Sequence, residues 1–180
     1  MKSFRYFLSL TLAILALSFI NVNAQSSSSQ KTIEQQVFKK INRLPYYGVF
    51  DHIAFEVDGG RVTLHGKVLS LGTRKAAESA VKRIEGVTSV VNNIEDLPLS
   101  SFDNRIRRQL LRQFANSAGV SMYLRGPDPS VRLIVENGRV TLEGYVHNKG
   151  TSNLMNILAN GVPGTFQVTN NLIVSNGRDS

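Results

Sequence analysis

The sequence predicts an α+β protein built from two tandem αββαβ domains, each a three-stranded mixed sheet packed on two helices. Three observations carry this. First, Gly60-Arg61-Val62-Thr63-Leu64-His65-Gly66-Lys67-Val68 returns 78 positions later as Gly138-Arg139-Val140-Thr141-Leu142-Glu143-Gly144-Tyr145-Val146. Second, the register then holds without a gap: Gly72-Thr73 meets Gly150-Thr151, Gly86 meets Gly164, and Asn92-Asn93 meets Asn170-Asn171. A shared register of that length marks a tandem duplication. Third, the apolar spacing switches between helical and strand periods in the same order in both copies.

Each copy opens with a helix. Ile33, Val37, Ile41 and Leu44 in the first, and Ile106, Leu110 and Phe114 in the second, recur at three-to-four spacing. Thr32 with Gln35, and Ser100 with Asp103, have the spacing of a capping box that satisfies the free N–H groups of a helix start. An alternating strand follows (Ile53, Phe55, Val57; Val131, Leu133, Val135), then Gly59-Gly60 or Asn137-Gly138, then the repeated strand. Both dipeptides accept the positive φ of a type I′ turn, so each pair of strands is read as a tight hairpin. A second helix runs from about Thr73 to Ile84 and from about Thr151 to Asn160, ended by Gly86 or Gly164. A third strand carries Val90 and Ile94, or Val168 and Leu172.

A two-residue turn also fixes which residues face each other. Glu136 falls opposite Arg139, Arg132 opposite Glu143, and Asp58 opposite Arg61. These read as cross-strand charge pairs on the outer sheet face. Val62, Leu64 and Val68 then point to the helices.

The N-terminus has Lys2 and Arg5, an apolar run from Phe7 to Ile20, and Val22-Asn23-Ala24 with small residues at the −3 and −1 positions of a cleavage site. This is the pattern of a secretory signal peptide cut after Ala24. A membrane anchor is the alternative, but the run is shorter than the ~20 residues that a spanning helix needs. The chain has no cysteine, which excludes disulfides, thiolate metal sites and a lipid anchor on a lipobox cysteine. The formal net charge of +8 drops by two with Lys2 and Arg5 and stays basic. A basic surface favours anionic lipid, acidic polysaccharide or nucleic acid, and export argues against the last.

At this point the residues resemble a known family. The helix-strand-strand-helix-strand order, the Gly-Arg-Val-Thr-Leu-x-Gly-x-Val strand, the glycine at the next helix start and the Gly-Val-x-x-Val-x-Asn-x-Ile run from Gly86 to Ile94 are similar to the BON domain. The second copy departs from it with Thr165 after Gly164. The likeness divides the chain into a signal peptide (1–24), a Ser-rich linker (25–30), two BON domains (31–98 and 99–175) and a tail (176–180). The resemblance implies a periplasmic or envelope location, a role in osmotic or envelope stress and integrity, and phospholipid binding. It implies no catalysis.

The helix opening the second copy separates the two domains chemically. At 100° per residue, Ile106, Leu110 and Phe114 form a buried stripe while Arg105, Arg108 and Arg112 cluster opposite, and no acid follows Asp103. One reading is an ordinary solvated basic helix. The other is a surface for anionic lipid or another polyanion. With Arg125 as a neighbour, four cations at about 1 kcal/mol each would give roughly 3 to 4 kcal/mol, a weak peripheral attachment. Stable residence would need several copies or an apolar insertion.

Tyr46, Tyr47 and Phe50 precede the first hairpin, and Tyr123 occupies a comparable loop in copy two. They read as covers for the open end of a small core, with anchoring at a membrane interface as the alternative. On the outer sheet face of copy two, Ile134, Tyr145 and Ile173 form an apolar interaction patch for copy one or another chain, such as an envelope protein.

No catalytic site, metal site, cofactor or small-molecule substrate is expected. His52, His65 and His147 are not equivalent between the copies and read as solvent-facing, and no nucleophile–base signature accompanies them. No His/Asp/Glu spacing fits a metal. Gly161-Val162-Pro163-Gly164 matches a Gly-x-x-Gly loop of RNA-binding KH domains, but it joins a helix to a strand rather than two helices.

Overall fold

Alternating apolar residues, short turns and amphipathic helices assemble in a computed structural model that describes residues 22–175 apart from residue 127. Of the signal peptide read at residues 1–24, residues 1–21 lie outside the described residues, as does the tail 176–180, and Val22–Ala24 begin the first helix. In chain order the elements are α1 (Val22–Ile41), β1 (His52–Asp58), β2 (Arg61–Val68), α2 (Thr73–Val81), β3 (Ser89–Asp96), α3 (Ser101–Ala115), a 3-10 turn (Ser121–Leu124), β4 (Val131–Glu136), β5 (Arg139–Val146), α4 (Lys149–Asn160) and β6 (Gln167–Val174). Two three-stranded sheets result, ordered β1-β2-β3 and β4-β5-β6. In each, the hairpin is antiparallel and the third strand pairs in parallel with the second. The mixed sheets and the twice-repeated element order match the fold class read from the sequence.

The register follows the turn chemistry. Asp58 lies opposite Arg61, Glu136 opposite Arg139 and Arg132 opposite Glu143. Asn137 (φ 50°) and Gly138 (φ 74°) both take the left-handed conformation of a type I′ turn. The first hairpin differs, because Gly59 (φ 58°) has positive φ and Gly60 does not. The middle glycine of the repeated strand has a separate cause. A Cβ on Gly66 would lie 2.1 Å from the His52 carbonyl oxygen, and one on Gly144 would lie 2.0 Å from that of Ser130. Only glycine fits where the strands approach that closely.

Each sheet buries one face against its own two helices. Val62, Leu64, Val68 and Ala77 join Val37 and Ile41 in the first core, and Leu133, Val140, Leu142 and Met155 join Leu110 and Phe114 in the second. Fully burying a side chain of the Val, Leu or Phe type contributes about 1.5–3 kcal/mol, so these cores hold both domains.

Two helix starts differ from the capping-box expectation. Thr32 lies well inside α1, which runs through the serine tract read as a linker. Serine costs a helix only about half a kcal/mol per residue, so the turns can continue through the tract. Gln30 Nε2 also ties this part of α1 to the hairpin through the Val57 carbonyl, at 3.0 Å. At α3, Ser100 Oγ accepts from the Asp103 N–H (3.1 Å), but the Asp103 carboxylate turns away to the second hairpin.

The two domains meet through the segment between α1 and β1. The Val49 carbonyl accepts from the Leu133 N–H at 2.7 Å, which extends the edge of β4. Val49 and Phe50 pack on the core of the second domain, so Phe50 covers the other copy's core rather than its own. Tyr47 packs on the first core, while Tyr46 is 85% exposed.

Candidate functional site

The charges that face each other across the hairpins do not pair with each other. Lys67 Nζ reaches Glu136 Oε2 at 2.5 Å, and Arg132 donates to the Gly48 carbonyl (2.9 Å) and to Asp128 (2.9 Å). The Arg132 guanidinium also lies 4.5 Å from the centre of the Tyr47 ring. Glu143 takes a hydrogen bond from Asn171 at 2.7 Å. None of the cross-strand ion pairs expected within a hairpin forms among the described residues: where the outer sheet faces meet, Lys67–Glu136, Arg132–Gly48 and Arg132–Tyr47 join the two copies, while Asp128 and Asn171 are partners from the second copy itself. His52 belongs to the same contact. It lines a cavity of about 190 Å³ with Gly66, Lys67, Ile134, Thr141 and Glu143, and burial lowers its pKa. The solvent-facing reading of His52 is therefore corrected. His65 sits 3.6 Å from Glu56, and the exposed His147 ring tilts against Tyr123 at 5.5 Å.

The residues of the apolar patch part company. Ile134 is buried, whereas Tyr145 (56% exposed) and Ile173 (55%) are neighbours on β5 and β6 at the surface.

The helix α3 is positioned by Asp103, which the sequence marks only as a capping-box partner of Ser100, and by Arg107, which the sequence does not mark at all. Asp103 is fully buried and its two carboxylate oxygens accept from the N–H groups of Asn137 (3.0 Å) and Gly138 (2.8 Å). This fastens the start of α3 to the hairpin turn. One turn further on, Arg107 is also buried. It donates to Asn104 Oδ1 (2.7 Å) and to the Val135 carbonyl. Burial lowers the Arg107 pKa, and the nearby Asp103 carboxylate opposes that shift. One arginine of the helix thus serves the fold.

The other three face solvent. Arg105, Arg108 and Arg112 are exposed along the outside of α3, and among the described residues none forms an ion pair with a carboxylate. Arg125 is exposed beyond the far end of α3, where it donates to Ser121 Oγ at 3.3 Å. At the near end is an aromatic pair. Phe102 stacks on Phe166 with ring centres 5.8 Å apart, and the Arg105 guanidinium lies 5.6 Å from the Phe102 ring centre. Phe166 itself is 76% exposed. The repeat offset marks this position, because Phe166 replaces Thr88 of the first copy.

The first domain carries a different basic feature. A groove of about 700 Å³ between α1 and α2 has Lys39, Lys40, Arg43 and Arg83 on its rim and Ala76 and Ala80 on its floor. Among the described residues no group of three His, Cys, Asp or Glu side chains can hold a metal ion, and no helix is long and apolar enough to cross a membrane.

These features define a duplicated αββαβ protein, and its family follows from comparison. The family model for the BON domain matches twice, at residues 29–95 and 102–176, and the chain belongs to that family. No curated protein matches the sequence. Among solved structures, the C-terminal domain of CdsD, the structural protein of the type III secretion system of Chlamydia trachomatis, is similar at 14% identity and a TM-score of 0.27, over 78% of this chain and 96% of that one. A second CdsD structure from the same organism is also 14% identical, with a TM-score of 0.29 over 81% and 94%. At TM-scores this low the likeness bears neither on function nor on domain arrangement.

Proposed function

We propose that the protein is a non-catalytic module of the bacterial envelope, exported by a cleavable signal peptide, that associates peripherally with anionic phospholipid and supports envelope integrity under osmotic stress. The observation that carries this reading is the outer face of α3: three exposed arginines with no carboxylate partner among the described residues. A solvated helix face ordinarily mixes signs, and a one-sign face draws an anionic surface. The BON family membership adds the envelope setting. Arg105, Arg108 and Arg112 supply the main attraction, and Arg125 adds to it at the far end of the helix. At about 1 kcal/mol per arginine the attachment is reversible and weakens with salt.

Sedimentation with vesicles tests the proposal. Protein should pellet with phosphatidylglycerol-containing vesicles and not with phosphatidylcholine vesicles, and replacing Arg105, Arg108 and Arg112 by Ser should abolish the difference. Equal sedimentation with both lipids, or an undiminished triple variant, refutes it.

A second reading, a protein adaptor, draws support from Tyr145 and Ile173, two large apolar residues side by side on an exposed sheet face. Cross-linking that captures one stoichiometric envelope protein, lost in a Tyr145→Ser, Ile173→Ser variant and without any vesicle binding, would establish it instead.

A further inference from the structure

An exposed phenylalanine in a loop is ordinarily free to change rotamer, but Phe166 is held in place. Its ring is stacked on Phe102 at 5.8 Å and backed by the hairpin turn, where Gly138 comes so close that a Cβ there would lie 2.4 Å from the ring. Despite these two supports the residue stays 76% exposed. The ring is therefore already ordered, so docking it costs little side-chain entropy.

Its neighbours are cationic. Arg105 lies against Phe102, and the exposed Arg139 follows Gly138 in the turn and is the register partner of Gln167, the residue after Phe166. Among the described residues neither arginine forms an ion pair with a carboxylate. The first copy has Thr88 in place of the ring, so the fold does not require an aromatic there.

From this juxtaposition we infer that Phe166 is an interfacial anchor: its ring enters the acyl boundary of an anionic bilayer while Arg105 and Arg139 hold the phosphates around it. The inference rests on the lipid-surface reading of α3 and supplies what that reading lacks, an apolar contact. Rings at the headgroup level with cations beside them combine apolar burial with attraction to anionic lipid. A bilayer fits the site better than a soluble anion does, because a soluble anion would engage the arginines and leave the ring in water.

The chain has no tryptophan, so Phe166→Trp places a single reporter at the site. With phosphatidylglycerol vesicles the emission of this variant should shift to the blue and be quenched by brominated acyl chains, with neither effect on phosphatidylcholine vesicles. Phe166→Ser, with a far-UV spectrum unchanged from wild type, should bind anionic vesicles about tenfold more weakly. If the Phe166→Trp variant sediments with anionic vesicles but its indole emission neither shifts nor is quenched, the anchor is refuted and the arginine surface stands. If the unmodified protein does not sediment with them at all, the surface reading fails and takes the anchor with it.

Discussion

Lys67, on the outer face of the first sheet, and Glu136, at the end of β4 in the second, meet at 2.5 Å across the boundary between the two domains. Both side chains keep about a third of their surface in water (35% each), so the pair is worth much less than its distance implies. In a double-mutant cycle with Lys67→Ala and Glu136→Ala, urea denaturation should give a coupling of about 0.5–1 kcal/mol that shrinks with added salt. The bond to Glu136 is the main cause that raises the Lys67 pKa. Its stabilisation is therefore complete at neutral pH and lost only as pH rises past the ~10.4 of free lysine and through the raised value.

The opposite sign holds for His52. Burial is the largest cause lowering its pKa, with Arg132 adding to that shift and Glu143 opposing it. The unfolded chain takes up a proton near pH 6.5 that the folded protein refuses, so stability falls as pH drops from there toward the folded value. Urea midpoints measured between about pH 7 and pH 5 should decline, and His52→Gln should flatten that decline.

Asp103 holds α3 to the hairpin, and its removal leaves the Asn137 and Gly138 N–H groups without their acceptor and takes away the carboxylate that most favours the buried Arg107 cation, with Asp51 the lesser one that remains. Asp103→Ala should cost about 3 kcal/mol, and Asp103→Asn less, because one acceptor oxygen remains. Chemical denaturation of the two variants checks the order.

Gly138 and Phe166 compete for one volume. Gly138→Ala combines a strained left-handed φ of 74° with a methyl group 2.4 Å from the ring, and should cost about 2–3 kcal/mol. Gly59→Ala in the other hairpin meets nothing within 4 Å and should cost only the backbone term, about 1 kcal/mol. Phe166→Ala should return part of the Gly138→Ala loss, a non-additivity visible in melting temperatures.

The parts legible in the sequence are those set by local chemistry. Asn137-Gly138 dictates a two-residue turn, and the turn dictates that Arg132 faces Glu143, as observed. The repeat then carries one copy's strand order over to the other. What the charges do once placed is another matter. Arg132 turns to Asp128 of its own domain and to Tyr47 and Gly48 of the other, and Glu136 turns to Lys67, partners that the register of a single hairpin does not reveal. Helical periodicity puts Arg105, Arg108 and Arg112 on the outer face of α3, where they are exposed. Phe166 escapes that reading because it lies in a loop, where no period applies. Laying it against Thr88 is the one sequence comparison that isolates it.

The Val49 carbonyl bonded to the Leu133 N–H, with Val49 and Phe50 seated on the second core, means that duplication has not produced two interchangeable halves. The second domain borrows its last strand position and part of its lid from a stretch of chain more than eighty residues upstream. Cut out alone, it would bare the edge of β4 beside an unfilled apolar notch. The first domain is thus a folding partner as well as a copy, and a gene fragment encoding the second half would yield a protein prone to finish its sheet with a neighbour's.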